Sequence, residues 1–260
     1  VMKKLIEVKN VTISFAKNKE WKPIVKNSSF HISENEIVGI VGESGSGKSV
    51  TSLALMGLLP KEISKISEGN IIFNGQEITN LTENEFRNIR GNQISMILQE
   101  PMSSLNPSMK CGQQVVEMLE EHTNLSALEI KNEVMSLFEK VKLPNPDEIF
   151  NKYPHQISGG QKQRVMIAMA LACKPKLLIA DEPTTALDVT VQKEIIHLLK
   201  EIQEETKMSI LFISHDLSLV SEIANRVLVM FKGEIVEQGF AEEIFNEPKH
   251  IYTQALIASR

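Results

Sequence analysis

A chain of 260 residues, of which 42% are hydrophobic and 23% charged, has the composition of an ordinary globular protein and can bury a sizeable core. Its net charge of -5 at pH 7 argues against a nucleic-acid-binding surface as the main function. Cys111 and Cys173 are far apart and lack metal-ligand spacing, which favours a reducing compartment over a disulfide framework. The longest apolar stretches, residues 51–60 and 165–173, are about half as long as a membrane-spanning helix. We therefore expect another chain to form any channel.

The first third of the chain has mainly the pattern of strands. Predicted strands cover residues 6–15, 28–32, 36–41, 70–74 and 93–98. A helix beginning near Lys48 is expected to stop at Pro60. A capping box formed by Thr82 and Glu85 predicts a short helix between the last two strands.

Residues 106–154 have helical periodicity instead. A second capping box, Ser126 with Glu129, opens a segment that places Val134, Leu137, Phe138 and Val141 on one face. Strands and helices then alternate, with a helix through Leu171, a strand at 176–180, a helix at 189–204 and a strand at 209–214. This alternation predicts parallel strands with crossover helices. A short antiparallel hairpin, turned at Lys232 and Gly233, is expected over residues 226–238.

The motif G-x-x-x-x-G-K-S lies between a predicted strand and a predicted helix, the context that a phosphate-binding loop requires. Its residues, called the phosphate loop below, are Gly42, Glu43, Ser44, Gly45, Ser46, Gly47, Lys48 and Ser49. Glycines let backbone N–H groups approach a phosphate, and the helix N-terminus adds a positive dipole end. We expect Lys48 to bind the β- and γ-phosphates and Ser49 to bind Mg²⁺. The alternative, a glycine-rich turn that binds nothing, is disfavoured by the flanking elements.

Two acids follow the apolar strand at residues 177–180. Asp181 is placed to hold the Mg²⁺ shell, usually through water, and Glu182 to polarise an attacking water as the general base. The alternative is that adjacent acids merely end a strand in solvent. Their occurrence in a chain that also has a phosphate loop makes that alternative the weaker one.

Residues 157–161, Ile-Ser-Gly-Gly-Gln, form what we call the signature segment. Ser158 can cap a helix with Gln161 at the reciprocal position, and Gly159 and Gly160 expose backbone N–H groups between them. Such a helix start is an anion site, although it could also be only a well-capped helix. Because the chain already has one phosphate cradle, a second anion site implies a second phosphate or a second molecule.

Together with the phosphate loop, the signature segment, the run LLIADE at residues 177–182 and Ser214-His215-Asp216 resemble the nucleotide-binding subunits of ABC transporters over essentially the whole chain. The only departure in the signature segment is Ile157 in place of the commoner leucine. The resemblance implies an α/β fold, with a P-loop NTPase core of mostly parallel strands and flanking helices, an N-terminal antiparallel β-subdomain and an inserted helical subdomain. It also implies one nucleotide-binding domain at 1–260, with the core at 1–99 and 160–260 and the helical subdomain at 100–159.

The same resemblance assigns roles to further residues. Gln99 matches the glutamine that reaches Mg²⁺ and the attacking water and links the core to the helical subdomain, and His215 matches the histidine that contacts the γ-phosphate. Asp188 matches a residue of the D-loop, which crosses to the opposite subunit, but it could also cap the next helix. Phe15 stands where the family places an aromatic that stacks on adenine. A buried strand aromatic is an equally good reading, and Trp21 is a weaker rival.

In the family, two subunits pair head-to-tail, so each ATP with its Mg²⁺ is bound by the phosphate loop of one and by residues 158–160 of the other. The resemblance therefore implies a second nucleotide-binding subunit, identical or not, and two transmembrane permease subunits. A substrate-binding protein would be an indirect partner, and no nucleic acid is expected. The location implied is the cytoplasmic face of the cell membrane, held through the permease subunits.

Four stretches resemble the dipeptide, oligopeptide and nickel importers in particular, which makes peptide the leading cargo ahead of nickel or another small solute. They are residues 99–107, 153–155, 181–192 and 248–253, the last with Ile251 where that branch has proline. Many members continue into a cysteine-containing extension, whereas this chain stops at Arg260, as a naturally short member or a domain of a longer polypeptide would. A non-transport ABC ATPase is a less favoured alternative. A kinase or GTPase would lack the signature segment.

Overall fold

The computed structural model describes residues 3–99, 104–185 and 187–259. They form two compact units, one made of residues up to 86 together with those from 207 onward, and one made of residues 87–206. The strands are β1 (Lys4–Lys17), β2 (Glu20–Ser33), β3 (Ile37–Val41), β4 (Ser64–Phe73), β5 (Gln76–Glu77), β6 (Ile94–Ile97), β7 (Leu177–Asp181), β8 (Ser209–Ile213), β9 (Arg226–Phe231) and β10 (Glu234–Phe240).

The helices of the described residues include ten α-helices and a 3₁₀ turn at Pro154–Gln156. They are α1 (Lys48–Leu55), α2 (Glu83–Arg87), α3 (Cys111–His122), α4 (Ala127–Lys140), α5 (Pro146–Asn151), α6 (Gly159–Leu171), α7 (Val189–Thr206), α8 (Leu217–Ile223), α9 (Ala241–Asn246) and α10 (Ile251–Ala258). None of the helices described is both long and apolar enough to cross a membrane.

The first unit begins with an antiparallel sheet in the order β2-β1-β4-β5. The strands predicted at 6–15 and 28–32 belong to two longer strands of 14 residues each, which pair along their length. Asn18 and Lys19, with φ of 53° and 67°, make the two-residue turn between them. Because a right-handed strand twist favours such positive-φ turns, the hairpin closes tightly. Lys19 takes the place of the glycine that usually reveals this turn, so the sequence did not predict it.

The second sheet of this unit carries the phosphate loop and residues 214–216 at the ends of its strands. The buried strand β3 pairs in parallel with β8 and with β9, and β10 continues antiparallel to β9. Strands buried on both faces are continuously apolar, as β3 and β8 are. Because β3 and β8 are parallel, their carboxyl ends lie at the same edge. The segments that follow them, the phosphate loop and residues 214–216, therefore start side by side.

The second unit contains the parallel pair β6 and β7 and the helices α3 to α6, which pack on one another. The face predicted for α4 is buried, with Val134, Phe138 and Val141 fully enclosed. Gly112 of α3 lies against Phe150 of α5, where an added Cβ would come within 2.1 Å of the ring. Only glycine allows these two helices to approach so closely. The helical character predicted for residues 106–154 is confirmed.

The predicted hairpin at the end of the chain is confirmed as β9 and β10, with its turn at Lys232 and Gly233. Helices α9 and α10 were not predicted. The α/β fold class expected from the alternation of strands and helices is confirmed. The division into a core and a subdomain at residues 100–159 stays a prediction.

Candidate active site

The phosphate loop connects the buried strand β3 to helix α1. Gly47, the residue before α1, has φ of 105°, a conformation that a side chain rarely tolerates, so glycine is required there. Lys48 is 5% exposed, and its Nζ donates to the carbonyl oxygens of Gly42 at 2.7 Å and Glu43 at 2.9 Å. These bonds fold the loop around the ammonium group. The loop is thus a compact backbone cradle with a buried cation.

The groups of the loop fit a nucleotide phosphate. The hydroxyl of Ser46 is buried and has no hydrogen-bond partner among the described residues. No side chain caps α1 at Gly47, and the first turn of the helix carries no acid, so its positive end is not neutralised by the helix itself. The donor set of ammonium, hydroxyl and backbone N–H groups matches phosphate oxygens.

His215 lies one residue beyond Ser214, at the carboxyl end of β8 and in the same unit as the phosphate loop. The N–H of Ser214 donates to the carbonyl of Ile40 at 3.2 Å, which ties this segment to the end of β3. Asp216 caps α8 by accepting the N–H of Ser218 at 2.7 Å, and its own N–H donates to the Ser214 hydroxyl at 3.0 Å. Hydrogen bonds on both sides of His215 fix the backbone and leave its side chain exposed.

In the second unit, Gln99 and Glu182 come together although they are 83 positions apart. Because β6 and β7 are parallel, the two residues follow the same edge, and the amide Nε2 of Gln99 donates to Oε2 of Glu182 at 3.0 Å. Thr185 donates its hydroxyl to the same oxygen at 2.9 Å. The carboxyl group of Glu182 is therefore oriented by at least two neutral donors, the amide of Gln99 and the hydroxyl of Thr185.

Asp181 and Glu182 differ in their surroundings although they are adjacent. Asp181 is 5% exposed at the end of β7, whereas Glu182 is half-buried and has φ of 47°. This left-handed residue ends the strand. The side chain of Asp181 is buried, whereas that of Glu182 is only half-buried. Both acids were expected at the strand end, but Thr185 was not predicted, and its only signal in the sequence is its position three residues after Glu182.

The signature segment starts helix α6 with a complete capping box. The N–H of Gln161 donates to Oγ of Ser158 at 3.3 Å, and the N–H of Ser158 donates to Oε1 of Gln161 at 3.0 Å. Ser158 and Gly159 are exposed. At Gly160 an added Cβ would lie 2.9 Å from Cγ1 of Val191, so a side chain there would crowd α7. The predicted capping box is confirmed, and its binding role stays a prediction.

Asp188 caps α7, because its Oδ1 accepts the N–H of Val191 at 3.1 Å. The capping interpretation is therefore confirmed, while the contact with an opposite subunit stays a prediction. Residues 100–103, within the stretch 99–107, and Ala186, within the stretch 181–192, lie outside the described residues.

Phe15 lies near the end of β1, opposite Lys22 on β2 and Ser64 on β4, and it is half-buried. Trp21 is 45% exposed, with the ammonium of Lys65 4.2 Å from its ring centroid. A ring already covered by a cation is a poorer platform for adenine than a partly open one. Stacking of Phe15 on adenine stays a prediction.

Comparison with known proteins identifies the family of this chain. A family model described as ABC transporter matches residues 25–185. The oligopeptide transport ATP-binding protein AppD of Bacillus subtilis (strain 168) is 48% identical over 99% of this chain and 79% of its own. The dipeptide transport ATP-binding protein DppD of the same organism is 46% identical over 99% of this chain and 77% of its own.

Among solved structures, the dimeric ATP-binding cassette MJ0796, in a post-hydrolysis state bound to ADP and Pi, superimposes with a TM-score of 0.81 at 29% identity. The match covers 91% of this chain and 98% of the cassette. The chain therefore belongs to the ABC transporter family, as an ATP-binding, ATP-hydrolysing subunit.

Proposed function

We propose that this subunit powers the import of dipeptides or oligopeptides and that Glu182 is the general base of its ATPase reaction. The observation that supports the base is the hydrogen bond from Gln99 to Glu182 at 3.0 Å, at the ends of two parallel strands. An amide and a carboxylate this close together can share one water molecule, which supports the proposed roles. A buried aspartate, Asp181, lies directly beside them in the sequence.

In this mechanism Glu182 accepts a proton from the attacking water while Gln99 orients that water through its amide. Thr185 keeps the carboxylate in the required rotamer by donating to Oε2. His215 contacts the γ-phosphate from the carboxyl end of β8. Each of these groups follows a strand, and the sheet of its own unit sets its position.

The phosphate loop holds the phosphates of ATP through Lys48 and the N–H groups at the start of α1. Ser49 and Gln99 are the residues proposed to hold Mg²⁺, with Asp181 in its outer shell. When bound, the ion neutralises charge on the β- and γ-phosphates. Ser49 is exposed at the first turn of α1, and its hydroxyl is of the ligand type that Mg²⁺ prefers.

Two such subunits are proposed to close around ATP, with the phosphate loop of one facing Ser158, Gly159 and Gly160 of the other. The exposed start of α6 supports this arrangement, since its backbone can reach a ligand held by another molecule. The structural relative MJ0796 is described as dimeric. Because ATP binds the closed pair preferentially, binding favours closure and hydrolysis reverses it. Permease subunits would hold the pair at the cytoplasmic face of the membrane.

The peptide cargo is proposed from the named functions of AppD and DppD. The test is reconstitution of this chain with its permease subunits and binding protein in liposomes, followed by ATPase measurements with a mixture of di- to pentapeptides, and separately with a nickel chelate. Peptide should stimulate hydrolysis and enter the liposomes, and Glu182→Gln should abolish both effects. Stimulation by the nickel chelate alone would refute the peptide assignment. Failure to assemble with any permease would favour a non-transport ABC ATPase.

A further inference from the structure

The C-terminal part of the first unit touches the phosphate loop at two points. The N–H of Gly233, in the turn between β9 and β10, donates to the carbonyl of Ser46 at 3.0 Å. The N–H of Glu43 donates to the phenolic oxygen of Tyr252, on α10, at 3.1 Å. The two contacts hold opposite halves of the loop, and the partner residues, Gly233 and Tyr252, both lie outside the motif that identifies it.

These two contacts are joined by an aromatic stack. The rings of Phe231 and Tyr252 lie 4.1 Å apart between centroids with an interplanar angle of 27°. Phe231 ends β9 two residues before Gly233. The preceding residue, Met230, lies so close to the start of the loop that a Cβ on Gly42 would come within 2.1 Å of its carbonyl oxygen. The loop therefore rests directly on the end of β9.

The backbone around Tyr252 is itself held by hydrogen bonds. Its N–H donates to Nδ1 of His250, which caps α10, at 3.1 Å. The N–H groups of Lys249 and His250 donate to the carboxylate of Glu237 on β10, at 2.8 and 2.9 Å. Burial by itself would raise the pKa of Glu237, but the hydrogen bonds that its carboxylate accepts hold the pKa below its ordinary value. Glu237 is therefore a carboxylate at neutral pH and can hold both N–H groups.

The hydroxyl and the ring of Tyr252 make separate contacts. The ring already packs on Phe231, so the hydroxyl adds only the hydrogen bond to the loop. Partial burial raises the pKa of Tyr252, so the phenol is neutral at physiological pH. A neutral acceptor can hold Glu43 without placing a negative charge beside the phosphates.

We propose that Tyr252 is a positioning residue for ATP binding, which holds the first half of the phosphate loop in its binding conformation through its hydroxyl. With the bond present, the segment from Gly42 to Gly45 is ordered before ATP arrives. Without it, part of the binding free energy must order the loop. Phe231, Gly233, Glu237, His250 and Tyr252 form what we call the C-terminal brace. This inference rests on the proposed role of the phosphate loop.

The test is Tyr252→Phe, which removes the hydroxyl and keeps the stacked ring. The chain contains two tyrosines, so Tyr153→Phe, in the second unit, is the matched control. Purified variants are compared for binding of a fluorescent methylanthraniloyl-ATP with Mg²⁺, for KM and kcat of ATP hydrolysis, and for thermal unfolding without nucleotide. Tyr252→Phe should raise the Kd and KM about three- to tenfold, as expected for one ordinary hydrogen bond, with kcat within about twofold of wild type. Tyr153→Phe should change none of these constants.

A wild-type Kd and KM in a folded Tyr252→Phe protein would overturn the proposal. So would a fall in kcat with KM unchanged, because loop positioning acts on ATP binding. A lower unfolding temperature with wild-type ATP constants would assign the hydroxyl to stability alone and would equally refute it. Lys48→Ala, run in parallel, separates the two proposals. If Lys48→Ala also binds ATP normally, the phosphate loop assignment fails, whereas if Lys48→Ala alone loses binding, only the brace fails.

Discussion

The phosphate loop and the signature segment are both glycine-containing helix starts, but they are built in opposite ways. The loop has no side-chain cap at Gly47 and encloses the ammonium of Lys48, whereas the signature segment has a complete capping box between Ser158 and Gln161 and is exposed. Neither α1 nor α6 carries an acid in its first turn, a feature that they share with α3, α7, α8 and α10. The positive dipole end of each helix is therefore not neutralised by an acid of its own first turn. At α1 this end adjoins the buried ammonium of Lys48, whereas at α6 it is exposed.

The comparison predicts that both helix starts bind ATP and that turnover depends on a residue outside them. Glu182→Gln keeps the size of the side chain and removes the base, so kcat should fall about 10²- to 10⁴-fold while the affinity for ATP is retained. Steady-state ATPase assays and nucleotide titration measure the two constants. Light scattering with ATP should also detect a trapped dimer. Exposed Glu204 on α7 provides the control variant Glu204→Gln. Hydrolysis near the wild-type rate by Glu182→Gln would remove Glu182 from the role of base.

The buried ammonium of Lys48, which distinguishes the phosphate loop from the signature segment, can be removed by one substitution. Lys48→Ala removes the charged donor from the loop, and the affinity for ATP should fall roughly 10- to 100-fold, the range for hydrogen bonds from a charged group. Nucleotide titration measures it. Lys61→Ala, at an exposed position of the same unit, is the control and should bind ATP normally. Undiminished ATP binding by Lys48→Ala would mean that Lys48 does not bind the phosphates of ATP.

The two serine caps offer a matched test of the exposed helix start. Ser126 and Ser158 each complete a capping box, on α4 and α6, and replacing either by alanine should cost about 1 kcal/mol of unfolding free energy. Ser158→Ala should in addition weaken ATP-dependent dimerisation and ATPase activity, because Ser158 is proposed to meet ATP of the partner subunit. Urea unfolding and ATPase assays on both variants separate the effects. Equal ATPase activity in the two variants would leave the signature segment with a capping role only.

A smaller effect distinguishes the same two boxes by pH. Hydrogen bonds from the hydroxyl and the N–H of Ser126 lower the pKa of Glu129 below its ordinary 4.5, whereas Gln161 does not titrate. The lowered pKa means that the α4 box contributes stability above pH 4.5 and loses it as the pH falls through the folded-state value. The difference in unfolding free energy between wild type and Glu129→Gln should therefore shrink on acidification. A difference independent of pH would contradict this origin of the lowered pKa.

Local chemistry explains what the sequence could predict. The capping boxes at Ser126 and Ser158, the buried strands and the turn at Gly233 all depend on residues within a few positions, and each was predicted correctly. The contact between Gln99 and Glu182 could be placed only at the level of strand ends, since the distance depends on the pairing of β6 with β7. The bond from Glu43 to Tyr252 joins residues 209 positions apart and has no local pattern. The hairpin at Lys19 was missed because the residue is not one that favours a positive φ.

At Glu182 the stability of the fold and the proposed catalytic role favour different residues. Among the described residues, every other non-glycine residue with positive φ is asparagine or lysine, and Glu182 is the single acid. A left-handed backbone at such a residue costs on the order of 1–3 kcal/mol, so glycine at this position would stabilise the fold. Selection for thermal stability alone would therefore tend to replace Glu182. Because Glu182 is the proposed base, a heat-resistant variant that carried glycine there would be expected to lose ATPase activity.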